Sequence, residues 1–138
     1  MIVSTSKPIT LIGGGEVSAA CVDMAMSFAP TIVAADSGAD HALSLGHVPE
    51  AVIGDLDSLT DKARSKISDD KLHRISGQDS TDFEKALREI SAPLVIGTGF
   101  LGARVDHQFA VFNTLVRHPE IRCILIGLLD IVFLSPPS

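Results

Sequence analysis

The chain has 138 residues, of which 46% are hydrophobic and 20% charged, and its mean hydropathy is +0.34. This size and composition predict one globular domain with its own core and exclude intrinsically disordered and fibrous proteins. The 11 basic and 17 acidic residues give a net charge of −6, which argues against a general nucleic-acid binder. Aromatic residues make up only 4%, all of them Phe, so stacking platforms for single-stranded nucleic acid are missing.

The cysteines and the N-terminus indicate the compartment. Cys21 and Cys123 lie in apolar surroundings without zinc ligands nearby, and we interpret them as buried thiols. The first residues lack a signal-peptide pattern, and no apolar run reaches the roughly 18 residues that cross a bilayer. We therefore expect a cytoplasmic protein that does not enter a membrane.

Short apolar runs alternate with stretches of helical periodicity, a pattern typical of parallel strands joined by crossover helices. The predicted strands are 9–12, 31–35, 51–53, 94–96 and 121–126, with further extended pieces at 71–75 and 131–134. The predicted helices are 17–28, 39–45, 61–67, 81–90 and 105–118. This order predicts an α/β fold, a Rossmann-like three-layer sandwich with a mostly parallel sheet of about six strands.

Two of these helices carry apolar stripes. The first has Val17, Cys21, Met24 and Phe28 along one face, and the last is predicted to bury Val105, Phe109, Phe112 and Val116. The chain stops on Ser-Pro-Pro-Ser, so we expect one α/β domain over 1–134 and the start of a linker at 135–138.

The loops that follow the predicted strands are acidic. Ligands of open α/β sheets bind at the carboxyl ends of the strands. Seven acidic residues lie there: Asp36, Asp40, Asp55, Asp57, Asp79, Asp82 and Asp106. Two carboxylates about 5 Å apart repel by roughly 3 kcal/mol at an effective dielectric near 20, so a bound divalent cation would stabilise such a group. Oxygen ligands without His or Cys favour Mg²⁺ over zinc.

The sharpest motif is Gly-Asp-Leu-Asp-Ser at 54–58, directly after a predicted strand. On extended backbone Asp55 and Asp57 face the same side and can bind one metal ion together. The alternative is an Asx turn that caps the next helix. Thr81, as an N-cap, places Asp82 beside this pair as a third ligand, although a carboxylate in a first turn is also favoured by the helix dipole alone.

Glycine-rich loops follow two other predicted strands. The glycines at 13–15 present backbone N–H groups to a phosphate or ribose, and Asp36 is placed to hold a ribose hydroxyl. The later loop joins three glycines with Arg104, a phosphate donor, and Asp106. Asn113, on the same helical face as Asp106, is either a ligand contact or an ordinary exposed polar residue.

Five motifs in this order resemble thiamine pyrophosphokinase: GGG at 13–15, ADSGAD at 35–40, GDLDS at 54–58, QDSTDFEKAL at 78–87, and GARVDH at 102–107 with NTL at 113–115. The resemblance implies an enzyme that transfers pyrophosphate from ATP to thiamine, with Mg²⁺, to give thiamine diphosphate and AMP. It covers the family's N-terminal α/β domain, and we expect the family's all-β thiamine-binding domain to lie outside this sequence.

The resemblance also implies residue roles. It implies that Asp55, Asp57 and Asp82 bind the metal ion, and that Arg104 and Asp106 are catalytic residues that bind the polyphosphate and its metal ion. The resemblance further implies that ATP is contacted by Gly14, Gly15, Asp36, Gly38, Arg104 and Asn113. It implies that thiamine is contacted by Gln78 and Asp79. A cytoplasmic homodimer that uses ATP and thiamine, and neither nucleic acid nor a membrane, is expected.

Two other functions compete with this one. Asp55 and Asp57 after a strand also look like the nucleophile and the acid/base of a haloacid-dehalogenase-like phosphatase, but that motif normally follows the first strand. The other is a regulatory domain that binds Mg-ATP without turning it over.

Overall fold

The computed structural model describes residues 1–77, 80–102 and 105–135. Within them the strands are β1 Val3–Ser4, β2 Ile9–Ile12, β3 Thr31–Ala35, β4 Ala51–Gly54, β5 Leu72–Arg74, β6 Ile90–Ser91, β7 Val95–Thr98, β8 Cys123–Ile126 and β9 Ile131–Phe133. The α-helices are α1 Ala19–Phe28, α2 Gly38–Ser44, α3 Asp61–Lys66, α4 Asp82–Arg88 and α5 Val105–Arg117, with a short 3₁₀ turn at Asp69–Lys71.

The main sheet has the order β5-β4-β3-β2-β7-β8-β9. Its neighbouring strands are parallel except for the last pair, β8 and β9. The predicted α/β fold with a mostly parallel sheet is confirmed, but over the described residues the sheet has seven strands rather than about six. A separate parallel pair, β1 with β6, was not predicted because two-residue strands carry no readable pattern.

Helices cover both faces of the sheet. Since side chains alternate along a strand, Ile9 and Leu11 face one side and Ile12 the other. Phe83 of α4 and Val111 of α5 pack with Ile9 and Leu11. Helices α1, α2 and α3 pack on the opposite face. The strand order reverses between β2 and β7, which opens a crevice at the carboxyl ends of these two strands.

Helix α5 presents a different face to the sheet from the one predicted. Val105, Phe109 and Val116 are 68%, 65% and 61% exposed, whereas Val111 and Leu115 are buried. Apolar residues occupy both sides of this helix, so its periodicity identified an apolar stripe without deciding which side meets the sheet.

Helix α1 shows a similar rotation. Of its predicted stripe, Cys21 is buried, while Met24 and Phe28 are exposed. Val22 and Ala25 face the core instead. Both cysteines of the chain are buried free thiols, as expected, and burial raises the pKa of Cys123 to about 12.

The last two strands form a hairpin. Strands β8 and β9 pair antiparallel, and the Gly127 N–H donates to the Asp130 carbonyl across the turn at 2.7 Å. An antiparallel pair needs only a short connection, which accounts for the few residues between these strands. Residues 136–138 of the predicted linker lie outside the described residues. None of the helices in the described ranges is long and apolar enough to cross a membrane.

Candidate functional site

The loops after β2 and β7 touch each other at the crevice. The Gly13 N–H donates to the Thr98 carbonyl at 2.7 Å, and the Gly15 N–H donates to the Gly99 carbonyl at 2.9 Å. A Cβ on Gly13 would lie 2.5 Å from the Phe100 ring, and one on Gly15 would lie 2.7 Å from the Gly99 oxygen. The two loops approach this closely only because glycine stands at both positions.

A cavity of about 500 Å³ lies between these loops, in the range of small-molecule sites. Its lining residues are Gly14, Gly15, Ser37, Asp82, Phe83, Gly99, Phe100, Asp106, His107 and Ala110. We call it the glycine cavity. Of the predicted ATP contacts, Gly14 and Gly15 line it, and the predicted catalytic residues Asp82 and Asp106 line it too.

A second cavity, of about 330 Å³, adjoins the first and shares Asp82 and His107 with it. It is lined by Asp55, Gly77, Ser80, Thr81, Asp82, Lys85 and His107. We call it the acidic cavity. The two cavities therefore share part of their lining.

Three carboxylates meet at this edge of the sheet. Asp36 follows β3, Asp55 follows β4, and Asp82 opens α4, and one oxygen of each lies within 4.8 Å of the others. Thr81 holds the start of α4, because its hydroxyl accepts the Glu84 N–H at 3.1 Å. We call Asp36, Asp55 and Asp82 the carboxylate group.

Burial and mutual repulsion raise the pKa values of two members of the carboxylate group. Asp36 is 2% exposed, and its burial, followed by the charges of Asp82 and Asp55, raises its pKa to about 6. Burial and the Asp55 charge also raise the pKa of Asp82, while Lys85 and His107 act in the opposite direction. The group therefore has more negative charge than its surroundings compensate.

The chemistry of the carboxylate group fits a divalent cation. Within the described part of the chain, the Asp36 Oδ1 is buried and accepts no hydrogen bond. A buried acceptor without a donor is unfavourable, and a cation between the three carboxylates would remove both this deficit and the repulsion. Oxygen ligands alone suit Mg²⁺.

Asp57 lies apart from the carboxylate group. Its side chain is 78% exposed and lies 3.5 Å from the Arg74 guanidinium. Its N–H donates to Asp55 Oδ1 at 3.0 Å, which is the Asx turn given as the alternative. Our prediction that Asp55 and Asp57 share a face of extended backbone is wrong, because Leu56 between them has a φ of +68°.

Other predicted contacts lie away from the two cavities or outside the described residues. Gly38 packs under β2, where a Cβ would lie 2.0 Å from the Ile12 oxygen, and Asn113 is exposed on α5 without lining either cavity. Gln78, Asp79 and Arg104 lie outside the described residues.

Two cationic residues of the site were missed by the sequence analysis. Arg74 ends β5 and donates from its guanidinium to the Asp55 carbonyl, so the rule of strand ends would have found it. Lys85 lies three residues after Asp82 on α4 and is only 3% exposed. The three-residue spacing between Asp82 and Lys85 is visible in the sequence, but the burial of Lys85 could not be predicted from it.

The fold is shared with solved enzymes. Thiamin pyrophosphokinase from Candida albicans aligns with a TM-score of 0.78 at 16% identity, over 95% of this chain and 63% of that one. Thiamine pyrophosphokinase from Bacillus subtilis aligns with a TM-score of 0.76 at 22% identity, over 96% of this chain and 66% of that one. At such identities these likenesses establish the fold.

Similarity also extends to sequence. Thiamine pyrophosphokinase 2 of Oryza sativa subsp. japonica is 32% identical over 97 residues, which are 59% of this chain and 35% of that protein. Thiamine pyrophosphokinase 1 of Arabidopsis thaliana is 28% identical over 91 residues, 57% of this chain and 34% of that protein. The chain thus matches about a third of the length of these relatives. A family profile described as "Thiamin pyrophosphokinase, catalytic domain" matches residues 22–125, most of the chain, which therefore belongs to the thiamin pyrophosphokinase family.

Proposed function

We propose that this chain is the catalytic part of a thiamine pyrophosphokinase, which transfers the pyrophosphoryl group of ATP to the hydroxyethyl group of thiamine and releases AMP. The carboxylate group beside the glycine cavity, with the orphaned Asp36 oxygen, is the observation that carries this proposal. It provides a cation site next to a cavity whose glycines present backbone to a nucleotide.

The chemistry of the site is positioning and charge compensation. Pyrophosphoryl transfer needs in-line placement of donor and acceptor more than a covalent nucleophile. Asp36, Asp55 and Asp82 would hold Mg²⁺, which when bound compensates the negative charge of the phosphate oxygens. Gly14 and Gly15 border the part of the cavity that receives the nucleotide.

Membership of the family suggests further residue roles. Asp57 would join the metal site once a ligand is bound, and Arg104 would stabilise the charge that develops on the phosphates. Either Asp82 or Asp106, which both line the glycine cavity, would accept the hydroxyl proton. Contacts to ATP and thiamine are also proposed for Asp36, Gly38, Asn113, Gln78 and Asp79.

The setting of this domain is proposed on the same basis. The reversal of strand order beside the glycine cavity supports a Rossmann-like classification. We propose a cytoplasmic homodimer in which an all-β domain helps to enclose thiamine, and a linker to that domain beginning at 135. Residues 1–134 would then form the catalytic α/β domain.

Phosphorus NMR tests the proposed reaction directly. The purified protein is mixed with ATP, Mg²⁺ and thiamine, and the phosphorus species are followed with time. We expect AMP and thiamine diphosphate in equal amounts, and no turnover when EDTA removes the metal. A sample without thiamine is the control for slow hydrolysis of ATP.

The same spectra separate the alternative functions. ADP with inorganic phosphate would reject pyrophosphoryl transfer and favour a phosphohydrolase. The order of the strands already disfavours a haloacid-dehalogenase-like phosphatase, because Asp55 follows the third strand of the main sheet along the chain. Unchanged ATP that is nevertheless bound would favour a regulatory Mg-ATP domain.

A further inference from the structure

We propose that Lys85 is a phosphate-binding residue, whose ammonium group contacts the non-bridging oxygens of the pyrophosphoryl group during transfer. This inference rests on the proposed function and extends it, because it names a side chain of α4 that contacts the pyrophosphoryl group while it moves from ATP to thiamine.

The position of Lys85 is the first support. It lies three residues after Asp82 on α4, so the two side chains share a face of the helix. Both line the acidic cavity, together with Asp55. A ligand bound to the carboxylate group through a cation therefore lies beside Lys85.

The burial of Lys85 is the second support. Only 3% of the residue is exposed, although lysines are almost never buried without a charged partner or a function. Its charge acts on Asp82 and opposes the rise in the pKa of that carboxyl that burial and the Asp55 charge cause. The chain has thus enclosed a positive charge in the wall of a small cavity.

The neighbouring acid on α4 is engaged elsewhere. The Glu84 carboxylate lies 2.6 Å from the Arg117 guanidinium and 3.1 Å from the His118 ring, both at the end of α5. Glu84 is therefore paired with Arg117 and contacts His118, and Lys85 lines the acidic cavity with Asp82.

The chemistry of the cavity wall favours a phosphate. Of the described residues that line the acidic cavity, Lys85 is the one with a permanent positive charge, while Asp55 and Asp82 repel phosphate oxygens. A lysine ammonium offers three donors and binds phosphate as a point charge. Lys85 can therefore hold the phosphate oxygens that the cation does not reach.

Calorimetric titration with inorganic pyrophosphate in the presence of Mg²⁺ tests this role. We expect Lys85→Met to weaken binding about tenfold or more, and Lys85→Arg, which keeps the charge, to restore most of the affinity. Lys66→Met, on the exposed side of α3, is the matched control and should bind as the unmodified protein does. Lys85→Gln serves where Lys85→Met fails to fold, which thermal melting shows.

The outcomes separate this inference from the proposed function. Unweakened pyrophosphate binding by Lys85→Met or Lys85→Gln, or no binding by the unmodified protein, would overturn the role of Lys85. Lost binding in the variants, with no thiamine diphosphate formed by the unmodified protein, would reject the reaction but keep Lys85 as a phosphate-binding residue. Where turnover is measured, we expect the KM for Mg-ATP to rise in Lys85→Met.

Discussion

Two acidic sites begin on the first turn of α4, and they differ in their partners. Glu84 is paired with Arg117 and His118 from the end of α5. Asp82 faces Asp36 and Asp55, and among the described residues the buried Asp36 Oδ1 has no hydrogen-bond donor. Burial of a carboxylate is therefore uninformative by itself: the chain supplies partners for Glu84, whereas the cation proposed above would complete the carboxylate group.

The largest expected effect is on turnover, which should depend on the carboxylate group and not on Glu84. Asp55→Asn should lower pyrophosphoryl transfer about a thousandfold, near 4 kcal/mol of transition-state stabilisation, because it removes a metal ligand. The metal-free fold should be unharmed, since one of three repelling charges is lost. Steady-state assays and thermal melting measure the two effects, and normal turnover would remove Asp55 from the metal site.

The next largest effect is on stability, at the site of Glu84. Glu84→Gln should lower the free energy of unfolding by about 2 kcal/mol, because the buried carboxylate that Arg117 and His118 contact loses its charge. Urea unfolding measures this. Glu120→Gln is the control, since Glu120 is 67% exposed beside His118 and its loss should be small. Equal effects of the two variants would contradict a special role of Glu84.

Mg²⁺ should stabilise the protein through the carboxylate group alone. At a free concentration tenfold above its Kd, a bound cation adds about 1.4 kcal/mol to the free energy of unfolding. Thermal melting with Mg²⁺ and with EDTA should show this in the unmodified protein and in Glu120→Gln, but not in Asp36→Asn. A shift that persists in Asp36→Asn would place the cation elsewhere.

The pH dependence of the metal-free protein should reveal Asp36. Its pKa is raised from 3.8 to about 6 in the fold, so between these values the folded state binds more protons than the unfolded state. Stability therefore falls as pH rises through this window, by about 1 kcal/mol from pH 5 to pH 7. Denaturant unfolding in EDTA measures it, and Asp36→Asn should remove most of this slope.

The smallest effect on stability is expected at Asp57. In the metal-free protein Asp57→Asn should change the free energy of unfolding by less than about 0.5 kcal/mol, because the side chain is exposed and its partner Arg74 is half-exposed. Its turnover should nonetheless fall by orders of magnitude if Asp57 binds the metal in the loaded site. Full turnover would instead leave Asp57 as a turn residue.

Much of the fold and part of the site could be predicted from sequence. Alternating apolar runs predicted the parallel strands, and the rule that ligands bind at strand ends placed Asp55 and Asp82 in one site. Asp36 was predicted as a ribose contact, whereas it lies in the carboxylate group. The extended backbone predicted between Asp55 and Asp57 was wrong because a positive φ at Leu56 does not show in a hydrophobic pattern.

The sequence by itself determined the order of strands and helices and the acidic character of the strand ends, because both depend on residues that are close along the chain. Only the tertiary structure decided which face of α5 is buried, that Glu84 contacts Arg117 and His118, and that Lys85 is enclosed beside Asp82. These features depend on contacts between segments that are distant in sequence. A pattern along one segment does not specify which distant charge it will meet.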